Sequence, residues 1–147
     1  MFKKLLLVTL AAAALATGCT AGGGSSASGK RDMSEFMYLR GVFTWWDAEP
    51  EFQLKKTDAD DVYYSSAELV ADGQPYDFKF ADAGWSAGSN CGFKGKEDEV
   101  IEIGKRAKVN CSSAFENFKF TPPDTGVYNF FIDFSKEVPE AYIEKAQ

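Results

Sequence analysis

An antiparallel all-β sandwich of seven or eight strands is what this 147-residue sequence predicts, and three observations carry it. Short runs alternate apolar and polar residues at period two, the repeat of a half-buried strand. Turn signals rich in Gly and Pro separate the runs. No stretch keeps a helical period for more than two turns. In chain order, Met37 and Leu39 alternate with Phe36, Tyr38 and Arg40, and Phe52 and Leu54 alternate with Glu51, Gln53 and Lys55. The run Tyr63 to Leu69 meets the turn Ala71-Asp72-Gly73-Gln74-Pro75, after which Tyr76, Phe78 and Phe80 alternate with Asp77 and Lys79, so the pair reads as a hairpin. Ile101 and Ile103 alternate with Val100 and Glu102, Gly104-Lys105-Arg106 turns the chain, and Ala107 to Cys111 returns it. Phe115 to Phe120, the turn Pro122-Pro123-Asp124-Thr125-Gly126, and Tyr128, Phe130, Ile132 and Phe134 complete the set. Pro139 to Lys145 fits a terminal helical turn or a strand. Strands of this number and spacing point to immunoglobulin-like architecture.

Alternation also sorts side chains by face. With Phe78 and Phe80 pointing into the core, Asp77 and Lys79 point out, and with Phe118 and Phe120 inside, Asn117 and Lys119 lie outside.

Composition removes whole classes of chemistry. The chain has no histidine, so it builds neither a Ser-His-Asp nor a Cys-His nucleophile system, nor any His-ligated metal centre. A hydrophobic fraction of 45% and a charged fraction of 26% belong to an ordinary globular protein. No cofactor is expected. The acidic run Asp58-Ala59-Asp60-Asp61 offers oxygen ligands for calcium but lacks the spacing of a dedicated loop, and a solvated strand connection is the simpler reading.

Residues 1–18 read as a secretion signal, with Lys3 and Lys4 ahead of an apolar run from Leu5 to Ala16 that is too short to span a bilayer. The run ends in Leu15-Ala16-Thr17-Gly18-Cys19, which resembles the cleavage box of bacterial lipoproteins and implies lipidation of Cys19. An anchor of two or more acyl chains holds a protein on a membrane without crossing it. Thr20, where an aspartate would signal inner-membrane retention, implies the outer membrane of a Gram-negative envelope. Residues 19–32 have the Gly, Ser and Ala composition of a flexible tether, and 33–147 form the globular domain. Without residues 1–18 the chain keeps 14 basic against 22 acidic groups, a net −8, which argues against nucleic acid and anionic headgroups as partners.

With Cys19 committed to lipid, Cys91 and Cys111 remain, and an oxidising compartment would pair them. Closing that loop stabilises by about 3 kcal/mol on the chain-entropy model. Free thiols or a metal pair are the competing reading, for which no further ligands of the right kind stand nearby.

Most of the thirteen Phe and six Tyr are absorbed as strand packing; the three Trp are not. Trp45 and Trp46 are adjacent, so in extended chain one faces in and the other out. Trp85 lies in a loop of small residues, Ala81-Asp82-Ala83-Gly84-Trp85-Ser86-Ala87-Gly88-Ser89-Asn90. Such indoles either plug the ends of the sandwich or offer a flat apolar platform for the C–H faces of a sugar ring.

Four pieces, in order, resemble the starch- and glycogen-binding early-set immunoglobulin-like modules. They are Tyr38-Leu39-Arg40-Gly41-Val42-Phe43-Thr44-Trp45-Trp46, Tyr76-Asp77-Phe78-Lys79-Phe80-Ala81-Asp82, Gly84-Trp85-Ser86, and Asn117-Phe118-Lys119-Phe120-Thr121-Pro122-Pro123. That group includes family 48 carbohydrate-binding modules and accessory modules of bacterial pullulanases and amylases. The resemblance implies that Trp46 and Trp85 stack on glucose units and that Lys79 and Asn117 bond hydroxyls. Trp45 stands where the family has a small residue, and a second indole either widens the platform or blocks it. The Cys91 to Cys111 bridge is not a general family feature. The expected function is a non-catalytic α-glucan-binding lipoprotein of the cell envelope, with a separate amylase or pullulanase as a partner. The alternative is a structural or protein-interaction lipoprotein on the same sandwich. An enzyme is the third class, since a glycosidase needs only two carboxyls about 5 Å apart.

Overall fold

Alternating segments become strands where a ladder partner is available to each. In a computed structural model, which describes residues 31–147, nine strands form: β1 (Met37–Gly41), β2 (Lys55–Lys56), β3 (Val62–Leu69), β4 (Tyr76–Asp82), β5 (Asn90–Phe93), β6 (Ala107–Asn110), β7 (Phe118–Phe120), β8 (Gly126–Asp133) and β9 (Glu140–Lys145). The expected signal segment 1–18, Cys19 and most of the 19–32 tether lie outside the described residues. Asp32 already belongs to the folded unit: its carboxylate accepts from the Ser34 N–H (3.0 Å) and pairs with Lys56 (2.9 Å).

The strands pair antiparallel in the order β1-β4-β5-β6-β9-β8-β3-β2, with β7 alongside β4. This is one curled sheet whose two layers, β1-β4-β5-β7 and β6-β9-β8-β3-β2, join where β5 leaves β4 and pairs β6. The all-β antiparallel sandwich is therefore the observed architecture. Between the layers lie Phe78, Phe80, Phe118, Phe120, Tyr128 and Phe130, all essentially inaccessible. Phe78 meets Phe130 edge-on at 4.9 Å and stacks on Phe118 at 5.3 Å. Each buried ring of this size stabilises by about 1.5–3 kcal/mol.

Several sequence expectations change. Tyr63 to Leu69 and Tyr76 to Phe80 are strands but not a hairpin: β3 pairs β8 and β2, β4 pairs β1, β5 and β7, and residues 70–75 cross between layers. Both strands have one core face in either arrangement, so alternation does not distinguish the two. Pro50–Phe52 is a 3-10 turn rather than strand, leaving Lys55–Lys56 as β2. Residues 100–103 form no strand; Ile101 alone is buried, Ile103 is exposed, and the Lys105 ammonium holds the segment as a turn through the Glu97 and Val100 carbonyls at 2.8 and 2.7 Å. Pro139 to Lys145 resolves as β9, because Ala141 and Ile143 reach the core. The acidic run at 58–61 forms the connection from β2 to β3.

On the outer face of the second layer, Lys55, Tyr64, Phe131 and Tyr142 occupy successive register positions across β2, β3, β8 and β9. Tyr64 and Phe131 lie 5.7 Å apart and Phe131 stacks on Tyr142 at 4.7 Å, with Arg106 over Tyr142 at 4.0 Å.

Candidate functional site

The site grows from two cations. Arg40 and Lys79 stand directly opposite in the β1–β4 ladder, one residue out of phase with the buried pair Leu39 and Phe80. Like charges facing one another destabilise a sheet, and both side chains are buried as well, Arg40 at 5% and Lys79 at 2% exposure. Alternation placed Lys79 on the outer face correctly, but that face is roofed by loops, so it is not the exposed group the sequence implied. The two cations are drawn to different acceptors.

Arg40 serves the tryptophan loops. Its Nε donates to the Trp46 carbonyl (2.9 Å), joined by Nη2, while Nη1 donates to the Asp82 and Ala83 carbonyls (2.7 and 3.2 Å). The guanidinium lies 3.7 Å from the centre of the Trp85 ring, a cation–π contact strengthened by desolvation. Burial pulls the Arg40 pKa down, against the Asp47 and Asp82 carboxylates. Lys79 serves a third loop: its Nζ donates to Ser113 Oγ (2.7 Å) and to the Ala114 carbonyl (3.1 Å). Burial lowers its pKa from 10.5 to about 8, with Glu116 opposing.

The first tryptophan loop leaves β1 as a 3-10 turn, Val42–Thr44. Thr44 Oγ1 accepts from the Gly41 N–H (3.1 Å) and donates to the Gly41 carbonyl (3.0 Å), and the Trp46 N–H returns to that same carbonyl (2.9 Å). Trp45 and Trp46 are left-handed, with φ of 56° and 63°, and not extended as the in-and-out expectation required. Trp85, in the β4–β5 hairpin loop, has φ 55°. The Asp82 carboxylate fixes that loop by accepting from the Ser86 N–H at 2.8 Å. Thus all three tryptophans occupy a backbone region that costs about 1 kcal/mol or more for a non-glycine residue; among the described residues only Asp61 shares it outside glycine. The Trp46 and Trp85 rings meet at 6.3 Å with planes tilted by 47°.

The third loop, residues 112–117, is rooted by the Cys91–Cys111 disulfide, which forms as expected. Ser113 donates through N–H and Oγ to the Asn90 carbonyl at 3.1 and 3.0 Å. A Cβ on Gly92 would come within 1.8 Å of the Glu116 carbonyl oxygen, so only glycine lets the loop lie this close to β5. Phe115 belongs to this loop, 89% exposed, instead of beginning a strand; the strand starts at Phe118.

Between these loops lies a groove of about 370 Å³ lined by Trp46, Lys79, Trp85, Asn90, Ala114, Phe115 and Asn117. It brings together four of the five residues expected to bind, Trp46, Trp85, Lys79 and Asn117. Trp45 does not line it and is 86% exposed. Sequence reasoning missed Arg40, Asn90 and Phe115 as site residues. Asn90 is 6% exposed, and its Oδ1 is buried without a donor from the protein. For Phe115 a signal was present: like Trp85, it is a large ring among small loop residues, Ser112-Ser113-Ala114.

No family model matches the sequence, and no curated protein matches it significantly. Among solved structures, one described as "Ligand induced structure of AmyP-SBD", an amylase starch-binding domain, superposes with a TM-score of 0.57 at 16% identity, covering 96% of each chain. The chain has the fold of that domain. At this identity the likeness concerns the path of the backbone, and the groove has to be read from its own residues.

Proposed function

We propose that the protein is a non-catalytic carbohydrate-binding lipoprotein that holds α-glucans such as starch, glycogen or maltodextrin at the cell envelope, anchored through Cys19 to the outer membrane, beside a separate amylase or pullulanase. The observation that carries this reading is the groove: two indoles form an apolar wall, and amine and carboxamide groups stand beside them for hydroxyls, the combination a sugar ring requires. The 47° tilt between the indoles suits a chain that curves from one glucose to the next, as α-1,4-linked glucose does, better than a flat ribbon. No carboxylate is among the lining residues, whereas glycoside hydrolysis uses a pair of them. The solved neighbour described as a starch-binding domain supports the same reading at the level of fold.

Affinity electrophoresis in amylose-containing gels tests it. Retardation of the protein is expected, with Trp46→Ala and Trp85→Ala each migrating as in a sugar-free gel while unfolding at nearly the parent temperature. Unchanged retardation in both variants sinks the proposal, and a reducing-sugar assay after incubation with starch checks that nothing is cut.

A further inference from the structure

Trp45 is the largest exposed apolar side chain beside the groove that the groove itself does not use. Its indole is 86% exposed, yet its backbone is fixed: the Trp45 N–H donates to the Val42 carbonyl (3.4 Å), and the flanking Trp46 and Asp47 N–H groups donate to Gly41 and Thr44 (2.9 and 3.0 Å). The left-handed geometry at Trp45 and Trp46 sets the direction in which each side chain leaves the backbone. Successive residues of helical handedness turn about 100° around the local axis, where extended residues turn about 180°. The Trp45 side chain therefore leaves the backbone beside that of Trp46 and not on the opposite side. The left-handed backbone at Trp45 caps the 3-10 turn Val42–Thr44, but a cap does not call for an indole, and burial does not account for one; the two indoles that line the groove share the left-handed backbone, a conformation that collects at ligand clamps.

We infer that Trp45 is an outer contact for a glucan chain running past the end of the groove, so that the protein selects polymer over short oligosaccharide. The inference rests on the α-glucan reading above. A ligand short enough to sit between Trp46, Trp85 and Phe115 leaves Trp45 untouched, and a longer chain adds its C–H faces to a third ring whose backbone is already fixed.

Titration calorimetry of the protein and of Trp45→Ala, each with maltotriose and with soluble amylose, tests this. The expected result is an affinity for amylose lowered by about three- to tenfold in Trp45→Ala, the range of a single aromatic contact, and an affinity for maltotriose changed less than about twofold. An equal loss on both ligands would place Trp45 inside the groove and overturn the inference, and no change on either ligand would overturn it too, leaving the indole for a protein partner. If the parent protein binds neither ligand, the α-glucan reading itself fails, a result distinct from both.

Discussion

The protein carries two aromatic surfaces, and each sets an arginine against a ring: Arg40 over Trp85 in the groove and Arg106 over Tyr142 on the outer face of the second layer. Their construction differs. Tyr64, Phe131 and Tyr142 sit in regular strands at matched register positions, so they are the cross-strand pairs by which a sheet stabilises itself. Trp46 and Trp85 come from loops, in left-handed conformation, tilted and facing a cavity. Rings in register stabilise the sheet; the loop indoles, held at a cost in backbone energy, face a groove instead, which is where the proposed glucan would lie.

The sharpest way to break this comparison is to remove each arginine. Arg40→Ala takes the guanidinium from the Trp46, Asp82 and Ala83 carbonyls, of which Asp82's keeps the Trp85 N–H (3.4 Å), and should cost about 2 to 4 kcal/mol of unfolding free energy together with amylose retardation. Arg106 is half exposed and pairs with Asp133 and Glu140 at 3.2 Å, so Arg106→Ala should cost less than about 1 kcal/mol and leave retardation intact. Equal losses in urea titrations would erase the distinction. Next in size, the paired change Cys91→Ser with Cys111→Ser should cost about 3 kcal/mol. It should also raise amide exchange at residues 112–117 while sparing β8 and β9, because the bridge ties the root of the groove loop to β5 and involves no residue of β8 or β9; uniform acceleration would contradict this.

The smallest effect follows from Lys79. Its folded pKa lies near 8 and its ordinary value at 10.5, so between them the unfolded chain binds more protons. Stability contributed by this residue therefore rises as pH climbs from about 8 toward 10.5. Urea midpoints from about pH 7 to about pH 9.5 should rise in the protein relative to Lys79→Met; parallel profiles would remove Lys79 as the cause.

Much of this was legible in the sequence, for a physical reason. Alternation reports the face of a strand, and it placed Phe78, Phe80, Tyr128 and Phe130 in the core and Lys79 and Asn117 opposite. What lies over a face depends on chain far away in sequence, so the burial of Lys79 beneath Ser113 and Ala114, 34 and 35 positions on, was not legible. Nor was the crossover after Leu69, since a core-facing strand has the same pattern whichever partner it takes. Arg40 reads as an ordinary outward residue of an alternating strand, and only the folded loops reveal the carbonyls it gathers.

That gathering bears on what the proposed glucan binding would cost. One guanidinium ties carbonyls at positions 46, 82 and 83, so the two tryptophan loops are cross-linked through a single side chain with no ligand present. For the proposed glucan, the freedom that two separate loops would surrender on binding is then already given up in the folded chain.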